Sequence, residues 1–283
     1  MSNAEQIEYW NGDAGKRWAQ EDATMARLLE PVCEALLSHA AVEGSQRAMD
    51  IGCGGGSQSL MLARKLGPDA TVLGVDISQP MLQVAQDKVA DAGNVAQLSF
   101  LQADAASHEF TPASFDLLFS RFGVMFFDDP VSAFRNLRAA LRSDGKLAFS
   151  CWQAASDNEW TRVPLQAALQ HVPMPEMPDP HAPGPFAFAD AERVRAILDD
   201  SGFGNIAIEP FTYHMRFGNG STLGQTVREL AMIGPVSRLL TGQEPATMET
   251  VFAPMEEVME PYYRDGALLM PGAIWFVTAE AGA

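Results

Sequence analysis

The stretch Arg47-Ala-Met-Asp-Ile-Gly-Cys-Gly-Gly-Gly-Ser57 passes from a short apolar segment into four glycines, and a helical pattern starts directly after it. A strand that enters a glycine-rich turn and then a helix brings backbone N–H groups close to a bound ligand. Glycine is needed in such a turn because a Cβ would block the approach and because the backbone visits positive φ. The stretch therefore predicts a ligand-binding turn, with Asp50 beside it.

Strand and helix patterns alternate after this turn. Further strands are predicted at 71–76, 98–104, 115–120 and 146–152, and helices at 57–66, from Ser78 to a stop at Gly93, and after Asp129-Pro130. Such alternation implies parallel strands joined by right-handed crossovers, which is a doubly wound α/β sheet. Later segments predict a helix at 190–198, a strand near 206–211, two helices within 222–263 and a last strand at 273–278.

Composition excludes several classes of function. The formal net charge is −17, so a nucleic acid would approach against a repulsive field, and no basic patch offsets it. Three scattered cysteines do not make a disulfide framework or a metal cluster, so no metal is expected. The first residues lack a signal-peptide pattern, and no apolar run is long enough to span a bilayer. We therefore expect a cytoplasmic protein.

Two ligand classes use a turn of this kind: dinucleotides, which carry a pyrophosphate, and S-adenosylmethionine, which does not. Ser57 stands where the dinucleotide pattern has its third glycine. Asp50 would repel a pyrophosphate but attract an ammonium group. Asp76 is placed to accept ribose hydroxyls in either class, and Asp104 to contact an adenine amino group. No tyrosine is followed four residues later by lysine, which disfavours a short-chain dehydrogenase.

Four motifs in order carry a family resemblance: Asp-Ile-Gly-Cys-Gly-Gly-Gly (50–56), Gly-Val-Asp-Ile-Ser (74–78), Gln-Ala-Asp-Ala (102–105) and Phe-Asp-Leu-Leu-Phe-Ser-Arg (115–121). Together they resemble class I S-adenosylmethionine-dependent methyltransferases, in the small-molecule group that includes ubiquinone/menaquinone-type and methyltransferase type 11-like enzymes. The resemblance implies a Rossmann-like, seven-stranded, mostly parallel sheet of order 3-2-1-4-5-7-6, with strand seven antiparallel and helical cap insertions.

The resemblance also implies a division of the chain. We expect one methyltransferase domain over residues 1–283. Its parts are an N-terminal helical flap (1–44), a cofactor-binding core (45–152), cap insertions (153–185 and 218–270) and the end of the sheet (186–217 and 271–283). Within the first insertion, prolines predict a stiff, extended connector over 172–185.

The site residues follow from the matched motifs. S-adenosyl-L-methionine is the expected cofactor, and its predicted contacts are Asp50, Gly52, Cys53, Gly54, Asp76, Ile77, Met81, Asp104, Ala105, Ser120 and Arg121. An apolar acceptor pocket is expected from Trp10, Trp18, Phe122, Met125 and Trp152. The two early tryptophans serve equally well as a hydrophobic anchor onto the main body.

The expected reaction is transfer of a methyl group to a small apolar or aromatic molecule by in-line displacement. Aligning the reactants supplies ~7–11 kcal/mol, so a base is needed only for some acceptors. No catalytic residue is identified, and His171 and His181 are the weak candidates. The alternative is a non-catalytic S-adenosylmethionine-binding sensor or assembly protein. The acceptor, the atom methylated and the oligomeric state stay open, and a homodimer is one arrangement that the sequence allows.

Overall fold

The structure is a computed structural model that describes residues 3–42, 44, 46–91, 97–173, 179–240 and 242–282. The predicted helix stop at Gly93 and residues 174–178 of the predicted connector lie outside these ranges. The helices are α1 (Asn3–Asn11), α2 (Asp13–Gln20), α3 (Asp22–His39), α4 (Ser57–Leu66), α5 (Gln79–Asp91), α6 (Pro130–Ala140), α7 (Glu159–Ala168), α8 (Ala191–Asp200), α9 (Leu223–Ala231), α10 (Gly234–Leu240) and α11 (Pro245–Met259). The strands are β1 (Arg47–Ile51), β2 (Thr71–Asp76), β3 (Gln97–Gln102), β4 (Phe115–Arg121), β5 (Leu141–Trp152), β6 (Gly204–Phe217), β7 (Tyr263–Arg264) and β8 (Ala267–Glu280).

The strands form one mixed sheet of order β3-β2-β1-β4-β5-β8-β6, and the two-residue β7 pairs with β8 off this path. The first five strands are parallel, and β8 runs antiparallel to β5. The α/β fold is therefore confirmed. The observed order matches the predicted order 3-2-1-4-5-7-6 apart from one strand number. The strand predicted as the seventh is β8, because the short β7 precedes it in the chain.

The sheet places the carboxyl ends of its parallel strands together. β1 is buried from Ala48 to Ile51, because it lies between β2 and β4. The glycine turn follows β1, Asp76 ends β2, and Arg121 ends β4. Ligands of open α/β sheets bind in the crevice outside these carboxyl ends. The fold thus brings three of the predicted motifs to one edge.

The chain divides into two compact units. The first comprises Met1–Trp152, His181–Pro210 and Ile274–Ala283, and the second comprises Gln153–Pro180 and Phe211–Ala273. The ranges of the second unit overlap the two insertions that the sequence predicts at 153–185 and 218–270.

Within the second unit, Asn158 connects two segments far apart in sequence. This side chain is 0% exposed. Its amide donates to the carbonyls of Gln153, Ala154 and Ala273 at 3.0–3.3 Å, and its oxygen accepts from the Ala273 N–H and from the Trp160 indole. A buried asparagine with both ends paired fixes one arrangement of this unit, because any shift leaves buried polar atoms unpaired.

Two predicted helical regions contain more breaks than expected. Residues 222–263 hold three helices rather than two, because Gly234 has a φ of +65° and separates α9 from α10. The N-terminal region, which the sequence predicts as a helical flap, breaks at Gly12 and again at Glu21, directly before α3. Pro235 follows Gly234 directly and was an available signal for the first extra break, whereas neither proline nor an Asn-Gly pair marks the break at Glu21.

Candidate active site

The glycine turn between β1 and α4 has a backbone that few other residues could adopt. Gly52, Gly54 and Gly56 have φ of +66°, +53° and +76°. A Cβ on Gly52 would lie 2.7 Å from the Cα of Gly123, in the segment that follows β4. The turn therefore needs glycine both for its left-handed conformation and for close contact between two backbones.

The amides of this turn are mostly used inside the protein. The N–H groups of Gly52 and Cys53 both donate to the Val75 carbonyl, at 2.8 and 3.1 Å. The Gly54 N–H donates to Asp76 at 2.8 Å, and the Gly56 N–H donates to the Cys53 carbonyl at 3.0 Å. A phosphate-binding turn directs such N–H groups at its ligand. Four of the five amides from 52 to 56 are thus committed elsewhere, and the turn does not offer a phosphate cradle.

Asp76 connects the turn to the end of β2. Its Oδ2 accepts from the Gly54 N–H and its Oδ1 accepts from the Ser78 N–H, both at 2.8 Å. Burial raises the pKa of Asp76, and the hydrogen bonds from the Ser78 and Gly54 amides oppose that rise. The carboxylate is half-buried, and each oxygen keeps a lone pair for a further donor. Asp76 can therefore accept ligand hydroxyls from a fixed position.

Asp50 lies in a different environment from the one that the sequence suggested. It is 0% exposed, and its two oxygens accept from the Gln58 amide and the Ser59 hydroxyl at the start of α4. Burial raises the pKa of Asp50 from its ordinary value of 3.8 to about 7, although both hydrogen bonds lower it. Asp50 thus ties β1 to α4, and direct contact with a ligand ammonium stays a prediction.

The raised pKa of Asp50 predicts a pH-dependent stability. At a pH between the pKa of Asp50 in the unfolded protein and its pKa in the folded protein, the folded state holds a proton that the unfolded state has released. Stability therefore falls as pH rises toward 7. From pH 5 to pH 8 we expect the ionisation of Asp50 to lower the free energy of unfolding of the wild type by about 2–3 kcal/mol. Asp50→Asn, which resembles the protonated acid, should remove that loss. Urea unfolding at both pH values measures the difference.

The exposed Asp69 provides the control, since Asp69→Asn should leave the pH dependence of the wild type unchanged. Parallel stability curves for the wild type and Asp50→Asn would show that Asp50 stays ionised in the folded protein.

The N-terminal helices contact the same edge of the sheet. The Asn11 side chain donates to the Ile77 carbonyl at 2.9 Å and accepts from the Gln79 N–H at 3.0 Å. The Ser78 hydroxyl donates to the Trp10 carbonyl at 2.7 Å. The loop that follows Asp76 is therefore fixed by two sets of hydrogen bonds, one to the Asp76 carboxylate and one to residues of α1.

A second N-terminal contact reaches the glycine turn itself. Asp22, at the start of α3, is 8% exposed and forms an ion pair with Lys88 of α5. A Cβ on Gly55 would lie 1.9 Å from the Asp22 Oδ1, so this carboxylate lies directly against the turn. Lys88 also donates to the Ser57 hydroxyl at 2.6 Å. An ion pair between α3 and α5 therefore packs against the glycine turn.

The segment after β4 combines anchoring and aromatic residues. The Ser120 hydroxyl donates to the Ile51 carbonyl at 2.8 Å and accepts from the Gly123 N–H at 3.2 Å, so it joins β4 to β1. Phe122 has a φ of +65°, a left-handed conformation that is rare and strained for a bulky residue. Its ring stacks on Trp152 at 4.4 Å with an angle of 4° between the ring planes.

The predicted pocket residues fall into separate groups. Trp10 contacts Trp18 and Phe126, with ring centroids 5.9 and 5.6 Å apart, while Phe122 and Trp152 form the stacked pair. Met125 is 1% exposed and belongs to the core.

The remaining predicted residues are placed as follows. Asp104 accepts from the Ala106 N–H and the Ser107 hydroxyl, each at 2.9 Å, and so shapes the turn after β3. Ala105 is buried beside it, and Met81 is buried at the start of α5, under Gly54. His171 and His181 are exposed and belong to different units.

Sequence reasoning missed the polar residues that support the turn, namely Asn11, Asp22, Gln58, Ser59 and Lys88. The polar run at the start of α4 was a usable signal for Gln58 and Ser59, because a buried acid before a helix needs donors. Asp22 and Lys88 carry no local signal, since their partners are far along the chain.

A cavity of about 410 Å³ lies at the opposite ends of the strands and is lined by Arg47, Thr71, Leu73, Ser99 and Phe115 among others. None of the helices in the described ranges has both the length and the apolar character to cross a membrane.

Comparison with known proteins supports the resemblance drawn from the motifs. Residues 49–149 match the family described as "Methyltransferase domain". The chain is 31% identical over 134 residues to aklanonic acid methyltransferase DauC from Streptomyces sp. (strain C5), covering 45% of this chain and 60% of that protein. It is 30% identical over 106 residues to demethylmenaquinone methyltransferase from Lactobacillus johnsonii, covering 38% and 43%.

The chain spans about half the length of the curated relatives that it matches. Among solved structures it is similar to phosphoethanolamine N-methyltransferase 2 from Haemonchus contortus in complex with S-adenosyl-L-methionine. That match has a TM-score of 0.57 and 18% identity, and it covers 98% of this chain and 59% of the other. At this identity the likeness concerns the fold, which is the Rossmann-like arrangement expected from the sequence.

Proposed function

We propose that this protein is an S-adenosylmethionine-dependent methyltransferase that acts on a small, apolar or aromatic molecule. The observation that carries the proposal is the hydrogen bonding of the glycine turn. Four of its five amides donate within the protein, while the half-buried Asp76 carboxylate beside the turn can accept further hydrogen bonds. This arrangement suits a nucleoside ligand without phosphates. The matched family and the small-molecule methyltransferases among the relatives support the same conclusion.

The chain's own residues fit this cofactor. Asp76 would accept the ribose hydroxyls, and Asp104 with the buried Ala105 would meet the adenine. Gly52 and Gly54 give the turn its left-handed backbone, and the Met81 side chain lies against Gly54. Cys53 and Ile77 stay predicted contacts of the cofactor. Ser120 would act by positioning, because its hydroxyl is already bonded within the protein. When bound, the cofactor supplies a sulfonium methyl group that is already activated for displacement.

With an activated methyl group, the protein has to align the acceptor and exclude water. The stacked Phe122 and Trp152 and the group of Trp10 and Trp18 provide apolar surface for this task. His171 and His181 are both exposed, which does not support a role as a general base for either residue. We therefore expect acceptors that need little or no base, and the net charge of −17 favours small molecules over nucleic acid.

Two measurements test the proposal. Calorimetry should show binding of S-adenosylmethionine, and a panel of phenols, quinols, carboxylic acids and amines should yield S-adenosylhomocysteine with at least one acceptor. Binding without product across the panel would favour the non-catalytic sensor or assembly protein. No binding of S-adenosylmethionine would reject both readings.

A further inference from the structure

Two buried polar atoms occupy paired positions on neighbouring strands of the first unit. Arg121 on β4 pairs with Ser150 on β5. The Arg121 Nε and the Ser150 Oγ are both buried, and neither finds a hydrogen-bond partner within the described part of the chain. Ser150 is 0% exposed. Buried polar atoms in folded proteins are nearly always paired, so two unpaired atoms in adjacent positions indicate a group from outside the chain.

These atoms share one face of the sheet with an aromatic pair. Residues paired across parallel strands project to the same face, and so does the residue two positions further along a strand. Arg121, Ser150 and Trp152 therefore project together. The left-handed backbone of Phe122 brings its ring onto Trp152. A guanidinium, a hydroxyl and a stacked apolar wall thus lie at the carboxyl ends of β4 and β5.

The charge of Arg121 is poorly balanced. Its Nη1 donates to the Leu29 carbonyl at 3.2 Å, which is a neutral partner. The ion pairs formed between described residues do not include Arg121. The nearby Asp50 carries only part of a negative charge near neutral pH, because burial raises its pKa to about 7. A guanidinium without a full counter-charge attracts an anion, and arginine is the side chain best suited to hold a carboxylate or phenolate.

We infer that Arg121 and Ser150 bind the acidic oxygen of the methyl acceptor, a carboxylate or phenolate attached to a planar apolar ring system. The inference rests on the proposed function and names its substrate class. The sequence suggested that Arg121 contacts the cofactor. Ser150, however, lies on β5, two strands away from β1 and its glycine turn, and beside the aromatic wall.

The chemistry balances with such an acceptor. Transfer joins the acceptor oxygen to the methyl carbon through an oxygen electron pair, and the pair of the broken carbon–sulfur bond stays on sulfur. The anion and the sulfonium charge cancel, and no proton has to be removed during the step. Arg121 favours the deprotonated acceptor beforehand, so the site needs no base.

Calorimetry on the protein saturated with S-adenosylhomocysteine tests this inference. The probes are 2-naphthoate and 2-naphthol, each compared with a neutral counterpart, 2-naphthamide and 2-methoxynaphthalene. We expect the wild type to bind at least one acidic probe tenfold or more tightly than its counterpart. Arg121→Gln should abolish that preference, Arg121→Lys should restore part of it, and Ser150→Ala should reduce it. Arg64→Gln, the same change at an exposed residue of α4, should keep it.

Three outcomes would overturn the inference. The first is a wild type that binds neither acid better than its counterpart. The second is an acid preference that survives in Arg121→Gln. The third is a Ser150→Ala protein with unchanged preference, which would mean that water alone satisfies the hydroxyl. A tenfold loss of S-adenosylmethionine affinity in Arg121→Gln with the acid preference intact would assign Arg121 to the cofactor. A wild type that binds 2-naphthoate but no S-adenosylmethionine would reject the proposed function and leave the anion site standing.

Discussion

Replacing Asp76 with alanine is expected to lower the affinity for S-adenosylmethionine by well over tenfold. The carboxylate would accept the ribose hydroxyls, and hydrogen bonds to a charged group contribute about 1.5–3 kcal/mol. The same substitution removes the partner of the Gly54 and Ser78 amides, so the turn and the loop after β2 lose their common support. Isothermal titration calorimetry gives the affinity, and thermal unfolding reports the accompanying loss of stability.

Asp116 provides a matched control for this experiment. Its Oδ2 also accepts two backbone N–H groups, from Gln46 and Arg47 at 2.9 and 2.8 Å, but at the beginning of β1. Asp116→Ala should therefore destabilise the fold while leaving the affinity for S-adenosylmethionine within about twofold of the wild type. Equal losses of affinity in the two variants would mean that Asp76 acts only through stability and does not contact the ligand.

Gly52→Ala is expected to produce a large loss of stability. A left-handed backbone costs alanine about 1–2 kcal/mol, and the clash with the Gly123 Cα at 2.7 Å adds a cost like that of overpacking. We expect a total of about 2–5 kcal/mol in urea unfolding, with loss of S-adenosylmethionine binding in any protein that folds.

The Gly67→Ala variant separates the conformational cost of a positive φ from the cost of the clash. Gly67 has a φ of +90°, and a Cβ there would meet nothing within 4 Å. This variant carries a conformational cost of about 1–3 kcal/mol without a clash, and it should bind S-adenosylmethionine normally. If Gly52→Ala were no less stable than Gly67→Ala and still bound the ligand, the backbone contact between Gly52 and Gly123 would not be required.

The parts of the fold that could be predicted from sequence are those with a local signal. The apolar run before Gly52 marked β1, Asp129-Pro130 marked the start of α6, and the acids at the strand ends marked the edge of the sheet. These features depend on a few neighbouring residues, so the residue types themselves carry the information.

Other features could not be predicted because they depend on partners distant in sequence. The predicted ligand contacts of Ser120 and Asp50 stay predictions, but the sequence did not show which groups of the protein bind these side chains. The Ser120 hydroxyl bonds to the Ile51 carbonyl and the Gly123 amide. Asp50 is buried with hydrogen bonds from Gln58 and Ser59. Burial and hydrogen-bond competition follow from tertiary packing, which hydrophobic periodicity does not encode.

The reaction rates of the three cysteines can show how often the structure around each of them opens. Cys33 lies in α3, Cys53 in the glycine turn and Cys151 in β5, and all are buried. Burial raises the pKa of Cys33 to about 12 and raises the pKa of both other thiols. Alkylating reagents need an accessible thiolate, so each cysteine reacts only when its surroundings open. The labelling rate of Cys53 therefore measures how often the turn opens, with the other two thiols as internal standards from other parts of the first unit.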